Sequence, residues 1–364
     1  SQGGRPDTPP SVPPSQGGRP ELRWGWTTGT CAAAACKAAA LTLLGGEPGP
    51  GIEVGLPDGT RTVIPLLWAA AGKAAVRKDA GDDPDVTHGA TVEVVVAWAD
   101  SGDVEFRAGV GIGTVTRPGL SVPPGEPAIN PVPRRMIRQA LREVTERPAI
   151  VVISIPDGEQ LAARTANPRL GVVGGLSILG TSGRVRPYSC SAYKESLECL
   201  LRVARASGVT SPVLVPGNIG RKAACQNFPL RDDQIVEVGN EWGALLELLG
   251  GYPFERLLAL GHPGKLAKLA AGCWDTHSSR SRSAVPIVSR LGRRLLGPDV
   301  PASSTVEGFF QALGEQRSPV ADRLALHIRR AISRRVADTL EVAAVLVDLG
   351  GNILGSSGDL SPWR

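Results

Sequence analysis

Residues Gly261 to Ser278, GHPGKLAKLAAGCWDTHS, gather more chemistry than any other stretch of this 364-residue chain. A Gly-His-Pro-Gly turn opens a short helix carrying Lys265 and Lys268. The helix stops at Gly272, and an acid, a hydroxyl and an imidazole follow in Asp275, Thr276 and His277. A helix start leaves backbone N–H groups unpaired and concentrates partial positive charge. An anionic group therefore docks there, here at Gly264, with the two lysines reinforcing it. The plain alternative is an ordinary loop and helix with a hydrogen-bonded surface histidine.

Four further stretches are dense in Gly, Pro, Asn, Thr and charge where plain connectors would be shorter. In KDAGDDPDVTHG (78–89) the acids Asp79, Asp82, Asp83 and Asp85 share one loop with His88. Crowded carboxylates raise one another's pKa and could hold a metal, stabilise a cation or supply a base, whereas the plain alternative is a solvated acidic turn. No calcium-loop spacing is present. In GVGIGTVTRPGL (109–120), Gly109, Gly111 and Gly113 mimic a nucleotide-binding turn. No helix opens after them, so close backbone approach to a ligand is the expectation, with a Gly-rich bulge as the alternative. GEPAINPVPRRM (125–136) and RTANPRLGVVGGLSILGTSGRVRPYS (164–189) combine Asn-Pro turns with Arg134, Arg135, Arg169, Arg184 and Arg186. Arginines on stiff loops grip carboxylates or phosphates bidentately. There is no GxSxG, P-loop, HExxH or kinase signature, so the chemistry expected is transfer between two bound small molecules, accelerated by positioning.

The elements that must hold these loops change rhythm along the chain. RWGWTTGT leads into CAAAACKAAALTLL, a helix with threonine caps, alanines throughout and a stop at Gly45-Gly46. Strands follow at 52–56, 61–66, 91–99 and 104–109, then a helix near 133–144 and a strand at 149–156, giving an α+β first domain with a mostly antiparallel sheet. Beyond residue 188, helices near 196–206, 243–249 and 264–272 alternate with apolar strands at 212–216, 235–238 and 256–260. Such alternation predicts a doubly wound, mostly parallel sheet covered on both faces, with ligands beyond the carboxyl ends of its strands. A helix at 321–339 and a strand pair at 342–356 close the chain, and that pair could join either sheet. The fold class expected is α/β, with domains at 22–187 and 188–364 behind a Pro/Gly-rich tail at 1–21 that is too polar to fold.

Composition sets the outer bounds. The chain is 42% hydrophobic but only 4% aromatic, with 45 glycines and 31 prolines, so many turns and close backbone approaches are expected. A net charge of +5 and pI near 9.0 favour an anionic partner. The basic residues are interspersed with 35 acids, so nucleic acid is not the expected partner. The six cysteines show no CxxC pair or metal spacing and suit a reducing cytosol. No apolar run approaches membrane-spanning length. A cytoplasmic protein without membrane contact is expected, and a homo-oligomer is compatible with the sequence.

Taken together, GWTTGTCAAAACKAA (25–39), KDAGDDPDVTHG (78–89), GVGIGTVTRPGL (109–120), GEPAINPVPRRMI (125–137), TANPRLGVVGGLSILGTSGRVRPYS (165–189) and GHPGKLAKLAAGCWDTHS (261–278) resemble the cobalt-precorrin-5B C1-methyltransferase family, the CbiD type, of cobalamin biosynthesis. The resemblance implies a two-domain α/β enzyme that moves a methyl group from S-adenosylmethionine to C1 of a cobalt-containing corrinoid, giving cobalt-precorrin-6A. Trp26, Arg117, Pro263 and Asp275 stand where the family pattern leads one to expect tyrosine, lysine, isoleucine and asparagine. The family supplies no settled catalytic residue, so roles follow from physics. The polycarboxylate tetrapyrrole calls for Arg117, Asn130, Arg134, Asn167, Arg169, Thr181, Arg184, Lys265 and Lys268. The sulfonium donor calls for acids and an aromatic face, Asp82, Asp83 and Trp26. Its carboxylate calls for a helix start, at Thr28-Gly29-Thr30 or Gly264, with Gly111 and Gly113 admitting its approach. Asp79, Asp82, His262 and His277 are the catalytic candidates. A nucleotide-dependent ligase or kinase and a noncatalytic corrinoid carrier are the rivals.

Overall fold

A computed structural model describes residues 22–187, 189–337 and 339–364; the tail at 1–21 and Tyr188, where the two domains were expected to divide, lie outside them. In the first half, β1 (Gly25–Trp26) enters α1 (Thr28–Leu43) through Thr27, whose Oγ1 accepts the Thr30 N–H at 3.2 Å. Twelve of the sixteen α1 residues are buried, which a run of Ala and Cys permits because a thin helix can be approached from every side. The hairpin β2 (Gly51–Gly55) and β3 (Arg61–Pro65) turns at Gly59. There follow β4 (Trp68–Ala70), β5 (Lys73–Arg77), β6 (Thr91–Trp98), β7 (Val104–Ala108), β8 (Thr114–Val115), α2 (Pro131–Arg142) and β9 (Ala149–Ser154). The sheet runs β4-β5-β6-β9-β7, antiparallel except for β7 beside β9. Burial alternates along β6 and β9, so Val92, Val94, Val96, Val151 and Ile153 face a core that α1 and α2 share. Each such side chain stabilises the fold by about 1.5–3 kcal/mol. Short elements finish this half: α3 (Gly158–Ala162), α4 (Asn167–Leu170), β10 (Val172–Val173) and β11 (Arg184–Val185).

The second half contains α5 (Cys190–Ala206), β12 (Val213–Val215), α6 (Asn218–Asn227), β13 (Ile235–Glu237), α7 (Trp242–Leu249), β14 (Arg256–Gly261) and α8 (Pro263–Ala270). It ends with α9 (Val285–Leu296), α10 (Val306–Ala312), α11 (Arg317–Arg335), β15 (Glu341–Val347) and β16 (Ile353–Ser357). The sheet order is β13-β12-β14-β15-β16, parallel except for β16. Leu214 points to a core shared with α7, α8 and α11, while Val213 and Val215 point to another shared with α6. A strand buried on both faces explains the continuous apolar runs. The final strand pair joins this sheet, β15 lying parallel to β14, because EVAAVLV is buried throughout after its first residue and needs helices on both sides. The β4–β5 hairpin, α6, α9 and α10 were not anticipated, and α11 begins at Arg317 and stops where Ala337 turns left-handed at φ 53°.

The strand order reverses between β12 and β14, and the helices that follow them, α6 and α8, cover opposite faces. That divergence opens a crevice at the carboxyl ends of the two strands. The halves meet where α4 packs on α5, and Gly119 at φ +99° brings the 117–120 turn so close to α5 that a Cβ would lie 2.7 Å from the Arg202 carbonyl.

Candidate functional site

Five of the six sequence stretches meet in the first half, and the segment 165–185 laces them together. Its Leu179 N–H donates to Thr28 Oγ1 at 3.0 Å, and its Gly183 carbonyl accepts from Thr30 Oγ1 at 2.6 Å. Ile178 pairs with Ile129 and Leu176 with Ile112, while β10 pairs with β8. Against the same face, Trp26 N–H donates to the Asp79 carbonyl at 2.7 Å. The glycines that looked like ligand cradles are spent on this lacing. A Cβ on Gly111 would lie 1.9 Å from the Ile155 carbonyl, and one on Gly113 would lie 2.4 Å from Val172 Cγ1.

The two expected anion docks are occupied by the chain itself. At the start of α1, Gly29 N–H reaches the Leu179 carbonyl and Thr30 N–H reaches Thr27 Oγ1. A Cβ on Gly29 would lie 2.8 Å from Pro133. At the start of α8, Gly264 N–H donates to His262 Nδ1 at 3.0 Å. Several expected ligand groups are likewise engaged internally. Asn167 is buried and donates to the Gly175 carbonyl, and Arg134 binds the Ile129 carbonyl and Glu126, whereas Asn130 sits at the N-cap position of α2 with no side-chain cap hydrogen bond. Lys268 is buried, its Nζ donating to the Thr276 carbonyl at 3.0 Å and to Ser281 Oγ at 2.9 Å.

The acidic loop is a set of separate pairs. Asp79 bonds the Arg23 guanidinium, which holds its carboxyl below the usual carboxylate range despite partial desolvation. Asp82 accepts the Arg23 N–H at 2.6 Å. Burial pushes Asp85 up, but buried Lys78 at 2.6 Å and the Thr87 hydrogen bonds outweigh it and bring it down. Asp83 also has a partner. Asp79 and Asp85 are therefore lowered rather than raised, because each has a cationic partner. No group of three or more His, Cys, Asp or Glu side chains among the described residues could hold a metal.

What remains turned outward is basic. Arg184 lies over the Trp26 ring at 5.5 Å and Arg186 over Trp24 at 5.8 Å, beside exposed Thr181. Arg117 donates to the Arg169 carbonyl at 3.2 Å, and Arg169 reaches across to Glu237 at the carboxyl end of β13. The sixth stretch is anchored next to that end. Thr276 N–H donates to the Asn240 carbonyl at 3.0 Å, and Arg280 bonds both Glu241 and Asp275. His277 lies in this loop with Nδ1 on Ser279 Oγ at 2.8 Å. Lys265 is half-buried, and desolvation, with Lys268 nearby, lowers its pKa.

At the carboxyl end of β14 a cleft of about 690 Å³ opens between the His262 turn, Ser278, Thr305 and Glu307. His262 Nε2 is 2.9 Å from Glu307 Oε2. Glu307 escaped the sequence reading. Its local signal, a Thr305 cap two residues upstream, says nothing of a histidine 45 residues away. Glu237 was missed for the same reason.

Comparison with known proteins bears on these stretches directly. A family model described as CbiD matches residues 15–187, and one described as CbiD, C-terminal domain, matches residues 275–358. A cobalt-precorrin-5B C(1)-methyltransferase of Syntrophotalea carbinolica is 53% identical over 348 residues, covering 94% of this chain and 99% of its own length. One from Ralstonia nicotianae is 42% identical over 362 residues, covering 93% and 94%. The 1.9 Å crystal structure of cobalamin biosynthesis protein (cbiD) from Archaeoglobus fulgidus is 31% identical, covers 72% of this chain and 84% of its own, and has a TM-score of 0.41. At that score the likeness adds nothing to the topology described above. Matched across nearly its whole length by relatives that share one name, the chain belongs to the CbiD family.

Proposed function

We propose that this chain is a methyltransferase that carries a methyl group from S-adenosylmethionine to C1 of cobalt-precorrin-5B, giving cobalt-precorrin-6A. The observation that carries the reading is the 53% identity to a cobalt-precorrin-5B C(1)-methyltransferase over 94% of the chain. The geometry supports it in a second way. A macrocycle fringed with acetate and propionate groups needs several cations, and Arg117, Arg184, Arg186 and Lys265 have no carboxylate partner among the described residues, whereas Arg134 is paired with Glu126 and Arg169 with Glu237. Arginines fixed by stacking or by a neighbour's carbonyl present bidentate forks at little entropic cost.

Methyl transfer needs no protein nucleophile. The chain's part is to hold the acceptor carbon in line with the methyl at roughly 3–3.5 Å and to accept a proton if one is released. His277, on the loop anchored to Asn240, is the proton acceptor we favour over Asp79, which Arg23 already holds ionised. The same reading takes the protein as cytoplasmic, with two domains dividing near residue 188. Anaerobic incubation with isotope-labelled S-adenosylmethionine and cobalt-precorrin-5B, followed by mass analysis of the pigment, tests it. One labelled methyl at C1 is expected; an unmodified pigment would refute the assignment.

A further inference from the structure

We infer that the cleft between His262 and Glu307 holds the methyl donor, with the Glu307 carboxylate receiving the donor's ribose diol and His262 positioning that carboxylate. This rests on the methyl-transfer reading above.

The location comes first. The cleft lies at the carboxyl end of β14, on the side of β15 and α10, at the edge of the parallel sheet where open α/β folds bind ligands. Leu349, just beyond β15, closes one side of it. About 690 Å³ suits a nucleoside-sized molecule.

The hydrogen bonding then specifies the ligand. Because His262 Nδ1 accepts the Gly264 N–H at 3.0 Å, the neutral ring carries its proton on Nε2, which donates to Glu307 Oε2 at 2.9 Å. Gln311 Nε2 donates to Glu307 Oε1 at 2.9 Å. Each carboxylate oxygen has about two acceptor positions, so one is left on each, side by side. Two adjacent acceptors match the two hydroxyls of a ribose. Glu307 is only 18% exposed, so little water competes for them. Lys268 also lines this cleft, and its Nζ uses two of its three donors on Thr276 and Ser281, leaving one for the donor's carboxylate. An acid for the diol and a single lysine for a carboxylate suit a zwitterionic amino-acid nucleoside. They do not suit a polycarboxylate macrocycle, which an acid in the wall repels.

The test is equilibrium binding by calorimetry of S-adenosylmethionine and S-adenosylhomocysteine to the full chain and to three variants. Glu307→Gln removes one of the two acceptors and should weaken both ligands about tenfold or more, with corrinoid binding within twofold of the parent. Ser304→Phe, at an exposed position on the cleft wall, blocks the space without touching the His262–Glu307 pair and should weaken both ligands similarly. It decides the matter even if Glu307→Gln does not fold. His262→Gln, whose amide can still donate, should bind more tightly than His262→Leu. If the parent binds both ligands and the Ser304 and Glu307 variants bind them equally well, the cleft assignment is overturned and methyl transfer stands. If Glu307→Gln weakens S-adenosylmethionine alone, the carboxylate opposes the sulfonium and the diol assignment is overturned. A parent that binds neither ligand overturns the methyl-transfer reading itself.

Discussion

Arg169 Nη1 lies 2.8 Å from Glu237 Oε2, joining the loop-laced first half of the molecule to the carboxyl edge of the second sheet. Glu237 also has Arg221 near its other oxygen at 3.9 Å, so one acid faces two guanidinium groups. Arg221 is also paired with Asp232, so the charges of this cluster balance, and the 39% exposed Arg169 is the cation that can turn to an arriving anion.

Arg169→Ala should therefore raise the corrinoid concentration for half-maximal rate without changing donor affinity. Glu237→Gln, which releases Arg169, should not raise it. With the arginine 39% exposed, the pair itself is worth about 1 kcal/mol or less, so both variants should unfold close to the parent midpoint. Equal losses in corrinoid affinity from the two variants would mean that Arg169 only joins the halves.

His277→Ala should leave the unfolding midpoint close to the parent's, because its ring hydrogen-bonds only to Ser279 two residues on, and should lower turnover about a hundredfold if it takes the proton. Asp79→Asn should leave the pH–rate profile above pH 5 unaltered, since Arg23 holds the parent carboxylate ionised there. Loss of a limb near neutrality in that variant would restore Asp79 as the base.

Gly111→Ala should destabilise the fold by about 3 kcal/mol or more, because the residue sits at φ +72° and its Cβ would meet the Ile155 carbonyl at 1.9 Å. Gly125→Ala is the control: φ +92°, nothing within 4 Å, and a cost of about 1–2 kcal/mol. Denaturant midpoints compare them. Similar midpoints would mean that Gly111 does not hold the loops together.

Burial pushes the Cys31 and Cys36 thiols up to about 12. Unfolded thiols ionise near pH 8.5, so between there and pH 12 the unfolded chain sheds protons that the folded chain keeps, and stability falls as pH rises. The urea midpoint should drop from pH 8 to pH 10, and Cys31→Ala should reduce the drop. In the native protein a thiol reagent should modify exposed Cys225 before either buried cysteine.

Glu143 is held down at about 2, chiefly by the Arg61 hydrogen bond, with Lys37 adding to it. Its contribution is present above the unfolded value near 4.3 and is lost as pH falls towards 2. Glu143→Gln should lower the midpoint at pH 6 and flatten its fall between pH 6 and pH 3. A slope equal to the parent's would remove this triad from the account of acid sensitivity.

Local signals alone determined much of this molecule. The Thr-capped alanine helix, the alternating burial of β6 and β9 and the continuous apolar runs of β12 and β14 follow from period and propensity, which act over a few residues. Chain order likewise announced a parallel second sheet. The site resisted because its meaning lies in pairings made across tens to hundreds of residues. Thr28 and Gly29 look like an anion dock until Leu179, about 150 residues on, takes their hydrogen bonds. The acids at 79–85 look like a crowded cluster until Arg23 and Lys78 divide them. Glu307 carries no signal until β14 and α10 bring it to His262. Composition supplied the polar groups; tertiary contact decided which of them stay free to meet a ligand, because a hydrogen bond made within the protein removes that donor or acceptor from the site.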